Sequence, residues 1–289
     1  MIGTVVVPLD GSELSERALV YAKGIADRSG APILLLRVAR IGADEPELTE
    51  SREYLRRVAA QLPGRVQIEV ERGRAADKIV ELAHQSGNPL IVMSTHGRGG
   101  LHRWMTGSVA DKVVRLAETP VLLVRSNQEL PDELTIRSIL VPVDGSEWGE
   151  VAVDYAAELS KLFECELHLL RVVDTPSAYA MLSRHMEVAA SGDVLDEIIQ
   201  SMNDEAKEYL KQLETRLSEK GVRVKKETLE GYPGERLVEF ERQGYFQLVV
   251  MATAGRSGVS RVVFGSVAER MLKMGRCPVV MIRPPHESP

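Results

Sequence analysis

Short runs of aliphatic and β-branched residues alternate along this chain with longer segments whose apolar positions recur every three or four residues. IGTVVVPLD at Ile2, PILLLRVAR at Pro32, PLIVMST at Pro89 and TPVLLVR at Thr119 are nearly continuous apolar runs. That pattern belongs to strands buried on both faces of a parallel sheet. RVQIEVERG at Arg65 alternates instead, as a strand at a sheet edge does. Between them, SELSERALVYAKGIADRSG places Leu14, Ala18, Tyr21, Ala22 and Ile25 at helical spacing, with Asp10 or Ser12 available as its cap. ELTESREYLRRVAAQL, ADKIVELAHQSG and GSVADKVVRLAE read as three further helices. Strict alternation of strand and helix calls for a parallel α/β sheet with right-handed crossovers.

The whole pattern then recurs. VVVPLDGSE at Val5 returns as ILVPVDGSE at Ile139, and THGRGGLHRWMTGSVADKVV at Thr95 returns as TAGRSGVSRVVFGSVAERML at Thr253. Asp144 and Val172 follow Asp10 and Val38 by 134 residues, whereas Gly231, Gly255 and Pro278 follow Gly73, Gly97 and Pro120 by 158. The repeats therefore align without gaps except for 24 residues inserted between Val172 and Gly231. The expected organisation is two tandem, doubly wound parallel-sheet domains of Rossmann-like α/β class. They span 1–127 and 136–285, with an inserted helical segment at about 176–203. SNQELPDELTI, polar and without periodicity, reads as the linker between them. A duplication that repeats its loops as well as its apolar pattern points to a repeated binding site, because core packing alone does not require identical loops.

Composition narrows the function classes. A chain of 289 residues has room for two domains, each with its own core. A net charge of −6 argues against a nucleic-acid partner, which would call for a basic stripe. Cys165 and Cys277 follow no metal spacing and have no equivalents in the first repeat, so they are expected to be small buried hydrophobes. Met1 leads directly into the first strand and no apolar run approaches the roughly 18 to 20 residues of a membrane span, so a cytoplasmic location is expected.

In open parallel sheets, ligands sit beyond the carboxyl ends of the strands. Pro8, Asp10, Val38, Met93 and Ser94 fall at such ends in the first repeat, and Pro142, Asp144, Val172, Met251 and Ala252 in the second. Gly97 and Gly107, like Gly255 and Gly265, carry no side chain where backbone amides could approach an anion. The helices opening at Ser108-Val109 and Ser266-Val267 add free N–H groups and the positive end of a helix dipole. Phosphate suits such a place; turn formation and helix capping are the plainer role for the same glycines. The chain carries no G-x-x-x-x-G-K-[ST] and no G-x-G-x-x-G after the first strand, so phosphoryl transfer is not expected.

With these motifs the chain resembles a tandem universal stress protein. The family's nucleotide motif is Gly, two residues, Gly, nine residues, Gly, then Ser or Thr. The first repeat reads Ser94, Thr95-His96, Gly97, RGGLHRWMT, Gly107, Ser108, and the second reads Ala252, Thr253-Ala254, Gly255, RSGVSRVVF, Gly265, Ser266. The nine-residue spacing and closing Gly-Ser are kept, while Ser94 and Ala252 replace the first glycine. The resemblance implies five-stranded domains of adenine nucleotide alpha hydrolase-like fold that bind ATP, with Mg²⁺ on its phosphates, in a stress-response role. It assigns Asp10 and Asp144 to the ribose or a phosphate-bound metal, Val38 and Val172 to backbone contacts with adenine, and the two Gly-Ser loops to the phosphates. It implies no catalysis beyond slow hydrolysis. An interaction module of the same fold that binds no nucleotide remains the alternative, and an enzyme acting on a nucleotide would need a base that the sequence does not offer.

Arg98 and Arg103 recur as Arg256 and Arg261 beside the loops, whereas His96 is matched by Ala254 and fits a local hydrogen-bonding role. Trp104 and Met105 are expected to pack or face a partner, and Tyr21 and Tyr155 to sit in the core. The insertion, with Tyr179, Met181, Leu182, Met186 and then Val194, Leu195, Ile198, Ile199 and Met202, reads as extra helix or as a methionine-bearing lid. TPVLLVR and CPVVMIR, the last strand of each repeat, are apolar edges that must be covered. They are expected to pair with each other, within one chain as a pseudo-dimer or between chains in a homodimer.

Overall fold

The computed structural model describes residues 2–95, 107–125, 130–185, 192–253 and 264–283. In chain order the first repeat contains β1 (Thr4–Pro8), α1 (Glu13–Glu16), α2 (Ala18–Ser29), β2 (Ile33–Ala39), α3 (Glu45–Ala59), β3 (Val66–Arg72), α4 (Ala75–Gln85), β4 (Pro89–Ser94), α5 (Ser108–Leu116) and β5 (Val121–Val124). The second contains β6 (Ser138–Val143), α6 (Glu147–Phe163), β7 (Glu166–Val173), α7 (Thr175–His185), α8 (Gly192–Glu219), β8 (Val224–Glu230), α9 (Pro233–Gln243), β9 (Leu248–Ala252), α10 (Ser266–Met274) and β10 (Val279–Ile282). The α/β class expected from the alternation of strand and helix is the class found.

The first compact unit comprises Met1–Ile136, Val259–Phe264 and Arg276–Pro289. Its parallel strands run β3-β2-β1-β4-β5, with β3 at the edge as its alternating sequence predicts. Val5 pairs with both Ile33 and Leu90, and Ile91 pairs with Val121. Val5, Leu35, Ile91 and Leu122 are fully buried, covered by the apolar faces of the crossover helices. β10 also belongs to this unit and lies antiparallel to β5, with Val279 opposite Leu123 and Met281 opposite Val121. The two apolar terminal strands thus cover each other within one chain.

The second unit comprises Arg137–Gly258 and Gly265–Gly275, with parallel strands in the order β9-β6-β7-β8. Its registers copy those of the first: Ile139 pairs with Leu167 as Val5 does with Ile33, and Leu167 pairs with Val224 as Ile33 does with Val66.

Two local features differ from the sequence expectation, and a third concerns the insertion. The first helix is broken at Arg17 into α1 and α2, whereas its counterpart α6 runs unbroken from Glu147 to Phe163. Ser12 is the cap of α1, its Oγ accepting from the Ser15 amide at 3.1 Å, while Asp10 Oδ1 accepts from the Ser12 amide and hydroxyl at 3.0 and 2.6 Å. The supposed linker is in part core: Leu134 and Ile136 are 3% and 4% exposed, since both are large aliphatic residues with an apolar surface within reach. Finally, the insertion forms α7 and the opening turns of the 28-residue α8, so it does extend the second helix of its repeat. Leu210, Leu213 and Leu217 bury the α8 face. Arg216 holds α8 to Glu150 at 2.5 Å, where the first repeat uses Tyr54, whose hydroxyl donates to Glu16 at 2.8 Å.

Candidate functional site

The strands of the second unit end in a cleft of about 840 Å³, a size suited to a nucleotide-sized ligand. β6 delivers Pro142 and Asp144 to it, β7 delivers Val172, β9 delivers Met251 and Ala252, and the start of α10 delivers Gly265, Ser266 and Val267. The eight described residues expected at this site from the sequence therefore line one concavity. The ninth, Gly255, lies outside the described residues, as do Arg256 and Arg261.

Each contribution has a local cause. After Asp144 the chain turns through Gly145 at φ 78°, a conformation that suits glycine, and Ser146 then caps α6 by accepting from the Gly149 amide at 3.1 Å. Asp144 Oδ1 accepts from the Ser146 amide at 3.0 Å and from its hydroxyl at 2.5 Å, which fixes the carboxylate at the cleft floor. The glycine-spaced loop is closed at its base by the Gly265 amide, which donates to the Thr253 carbonyl oxygen at 2.9 Å. The first repeat makes the same closure from Gly107 to Thr95. Gly265 is the cap of α10 without a side chain to occupy the first-turn amides, and Ser266 and Val267 of that first turn line the cleft.

Arg171 repeats Arg37 of the first repeat. Three other lining residues carry no repeated identity and were not legible from the duplication: Tyr209, Tyr232 and Arg270 stand where the first repeat has Ser51, Arg74 and Lys112. Met202, Glu205 and Tyr209 come from α8, so the helix extended by the insertion forms one wall. The Tyr209 hydroxyl is shielded from water and has no hydrogen-bond partner among the described residues. Burial, aided by the negative charges of Glu150 and Asp144, pushes its pKa up to about 12. Asp144, Asp174, Glu205 and Glu235 outnumber Arg171 and Arg270 along the walls, and Arg270 is paired with Glu235 at 2.8 Å. An anionic ligand would meet a negative balance of side chains here, offset by backbone amides, and would fit better with a divalent cation on its phosphates. Among the described residues no group of three or more His, Cys, Asp or Glu side chains could hold a metal ion.

In the first unit Pro8, Asp10 and Val38 are partly buried at their strand ends, and Met93 and Ser94 are 6% and 7% exposed at the end of β4. The Ser94 hydroxyl is buried without a partner among the described residues. Gly107 caps α5, with Ser108 and Val109 exposed in its first turn. Gly97, His96, Arg98, Arg103, Trp104 and Met105 lie outside the described residues. Cys165 and Cys277 are buried and unbridged, and burial raises the Cys165 thiol to about 11. No helix among the described residues is long and apolar enough to cross a membrane.

Comparison with known proteins agrees with this architecture. The sequence model of the universal stress protein family matches residues 1–125 and 135–283. A universal stress protein of Methanocaldococcus jannaschii is 32% identical over 149 residues, covering 52% of this chain and 83% of that protein. A universal stress protein of Mycolicibacterium smegmatis is 23% identical over 301 residues, covering 97% of each. Among solved structures, a universal stress protein from Archaeoglobus fulgidus aligns with a TM-score of 0.70 at 19% identity, covering 99% of this chain and 97% of that one, a likeness of fold.

Proposed function

The chain belongs to the universal stress protein family, and we propose that it is a regulatory protein that binds adenine nucleotide, ATP with Mg²⁺, at the strand ends of both repeats. The observation that carries this reading is the second-unit cleft, whose lining brings together Asp144, the Val172 strand end and the first turn of α10 at Ser266 and Val267. Each of these groups suits one part of a nucleotide. The open first turn of α10 suits phosphates, which take N–H donors and the positive dipole end. Asp144 suits the sugar hydroxyls or the cation. Val172, a strand-end residue with main-chain groups at the sheet margin, suits the edge of a base.

Magnesium would neutralise phosphate charge, and this chain's residues would position the ligand by hydrogen bonds. The reading includes no catalytic step: its output is occupancy, sensed through the loop that closes from Thr253 to Gly265 and its twin from Thr95 to Gly107. A reducing cytoplasm suits a chain whose two cysteines are buried thiols.

Extraction of the freshly purified protein followed by mass spectrometry, with calorimetric titration of Mg·ATP into the stripped protein, tests the proposal. Co-purified adenine nucleotide and saturable binding are expected. A protein that emerges empty and takes up no nucleotide would instead be an interaction module of the same fold.

A further inference from the structure

Tyr232 is 57% exposed, yet it lines the cleft of the second unit. Exposure of so large an aromatic side chain on a concavity leaves ring surface that a flat ligand could cover. Its backbone is also held in place from both sides. Before it, Gly231 adopts φ 126°, which few other residues tolerate, and its amide donates to the Val173 carbonyl oxygen at 3.0 Å. After it, Pro233 occupies the first turn of α9, which keeps Tyr232 in extended conformation at φ −69° and ψ 117°. The Tyr232 carbonyl oxygen then accepts from the amides of Glu235 and Arg236, each at 3.0 Å. The backbone of Tyr232 is thereby fixed one residue beyond the Gly231 link to the end of β7, and Tyr232 lines the same cleft as Val172.

The first repeat has the same backbone device with a different side chain. Gly73, at φ 154°, donates to the Ala39 carbonyl oxygen at 3.0 Å, and the residue after it is Arg74, extended at φ −84° and ψ 121°. The loop scaffold is shared; the aromatic ring is confined to the second repeat.

Resting on the nucleotide reading above, we propose that Tyr232 is a stacking platform for the planar purine base in the second cleft, and that it makes this cleft the one more dependent on the base of its ligand. A tyrosine whose backbone is already fixed has only two side-chain torsions left to order when a base covers its ring, and base–aromatic stacking is sequence-tolerant and strong enough to set affinity. A cleft built this way discriminates by the presence of a flat heterocycle, whereas a site bearing Arg74 in that place depends more on phosphate charge.

Calorimetric titrations of Mg·ATP and of inorganic tripolyphosphate into the parent, Tyr232→Phe and Tyr232→Ala proteins test this. Stacking predicts that Tyr232→Ala weakens one ATP-binding event about tenfold, that Tyr232→Phe stays within about twofold of the parent because the ring remains, and that tripolyphosphate affinity is the same in all three. Parent-like ATP affinity in Tyr232→Ala at every site overturns the stacking role while leaving the nucleotide reading intact. Equal losses in Phe and Ala overturn it in favour of the hydroxyl, and a matching loss for tripolyphosphate overturns it in favour of a general loop effect. A parent that binds no ATP removes the nucleotide reading and this proposal together. Thermal melts of the ligand-free proteins, expected to coincide because the side chain is exposed, exclude misfolding as the cause.

Discussion

The guanidinium of Arg125, only 9% exposed, donates through Nε to the carbonyl oxygen of Cys277 at 2.9 Å. Arg283, which follows Arg125 by 158 residues and so occupies its place in the second repeat, donates through Nη1 to the Arg115 carbonyl oxygen at 3.0 Å. Both bonds lie within the first compact unit and clamp the segment carrying β10 against β5 and α5. A buried charged hydrogen bond is worth about 1.5–3 kcal/mol. Arg125→Ala is therefore expected to lower the melting temperature and to speed amide exchange at Val279–Ile282 before the rest of the unit. Uniform exchange across the unit, with protection at β10 unchanged, would show that the strand pairing alone holds the segment.

Ser94 and Ala252 occupy the same place in the two repeats, and the Ser94 hydroxyl is buried with no partner among the described residues. A buried hydroxyl left unpaired is a cost that a bound phosphate oxygen could remove. Ser94→Ala is expected to leave the ligand-free melting temperature unchanged or slightly raised while weakening Mg·ATP at the first-repeat site about fivefold, the equivalent of one neutral hydrogen bond. A lower melting temperature with unchanged affinity would make the serine structural.

Legibility differed between scaffold and walls. Val5 and Ile139 announce buried strands because a parallel sheet covered on both faces needs continuous apolar residues, and the repeat carries that signal twice. Asp144 and Gly265 were equally visible, since a duplicated loop keeps residues that core packing does not require. Tyr209 and Tyr232 were invisible to that comparison because Ser51 and Arg74 stand in their places, and their position on the cleft depends on the angle of α8 and the Gly231 turn. Leu134 was misjudged because a short polar context hides an aliphatic residue whose partner is distant in sequence. Arg17 breaks its helix although its residue type favours helix, and the apolar periodicity on either side masks the break.

Tyr209 offers a test of sign at alkaline pH. Its pKa is raised to about 12 by burial, then by Glu150 and Asp144, so the folded state resists ionisation that the unfolded chain undergoes near its ordinary value of about 10. The stability tied to this shift is fully present below pH of about 10 and is lost as pH climbs through the folded value. Tyr209→Phe, which deletes a hydroxyl without a partner among the described residues, is expected to melt at or above the parent's temperature at pH 7 and to lose less stability between pH of about 10 and 12. Denaturant titrations across that range check both. A destabilised variant at neutral pH would reveal a hydrogen bond that the ligand-free cleft conceals.

Gly24, inside α2, sets helix propensity against packing. An exposed Gly→Ala change in a helix interior stabilises by roughly 1 kcal/mol, because glycine has more backbone entropy to lose. At Gly24 a Cβ would stand 2.5 Å from Leu134 Cβ and 2.8 Å from its Cδ2. Leu134 Cβ is one bond from the backbone and cannot swing aside as the end of a long side chain can. Overpacking costs of about 1–3 kcal/mol therefore outweigh the propensity gain. Gly24→Ala is expected to destabilise the chain, and Gly24→Ala combined with Leu134→Gly, which removes that Cβ, is expected to cost less than the sum of the two single changes. Additive losses would mean that the segment around Leu134 already shifts freely away from α2, and a stabilised Gly24→Ala would mean that it does not pack there in solution at all.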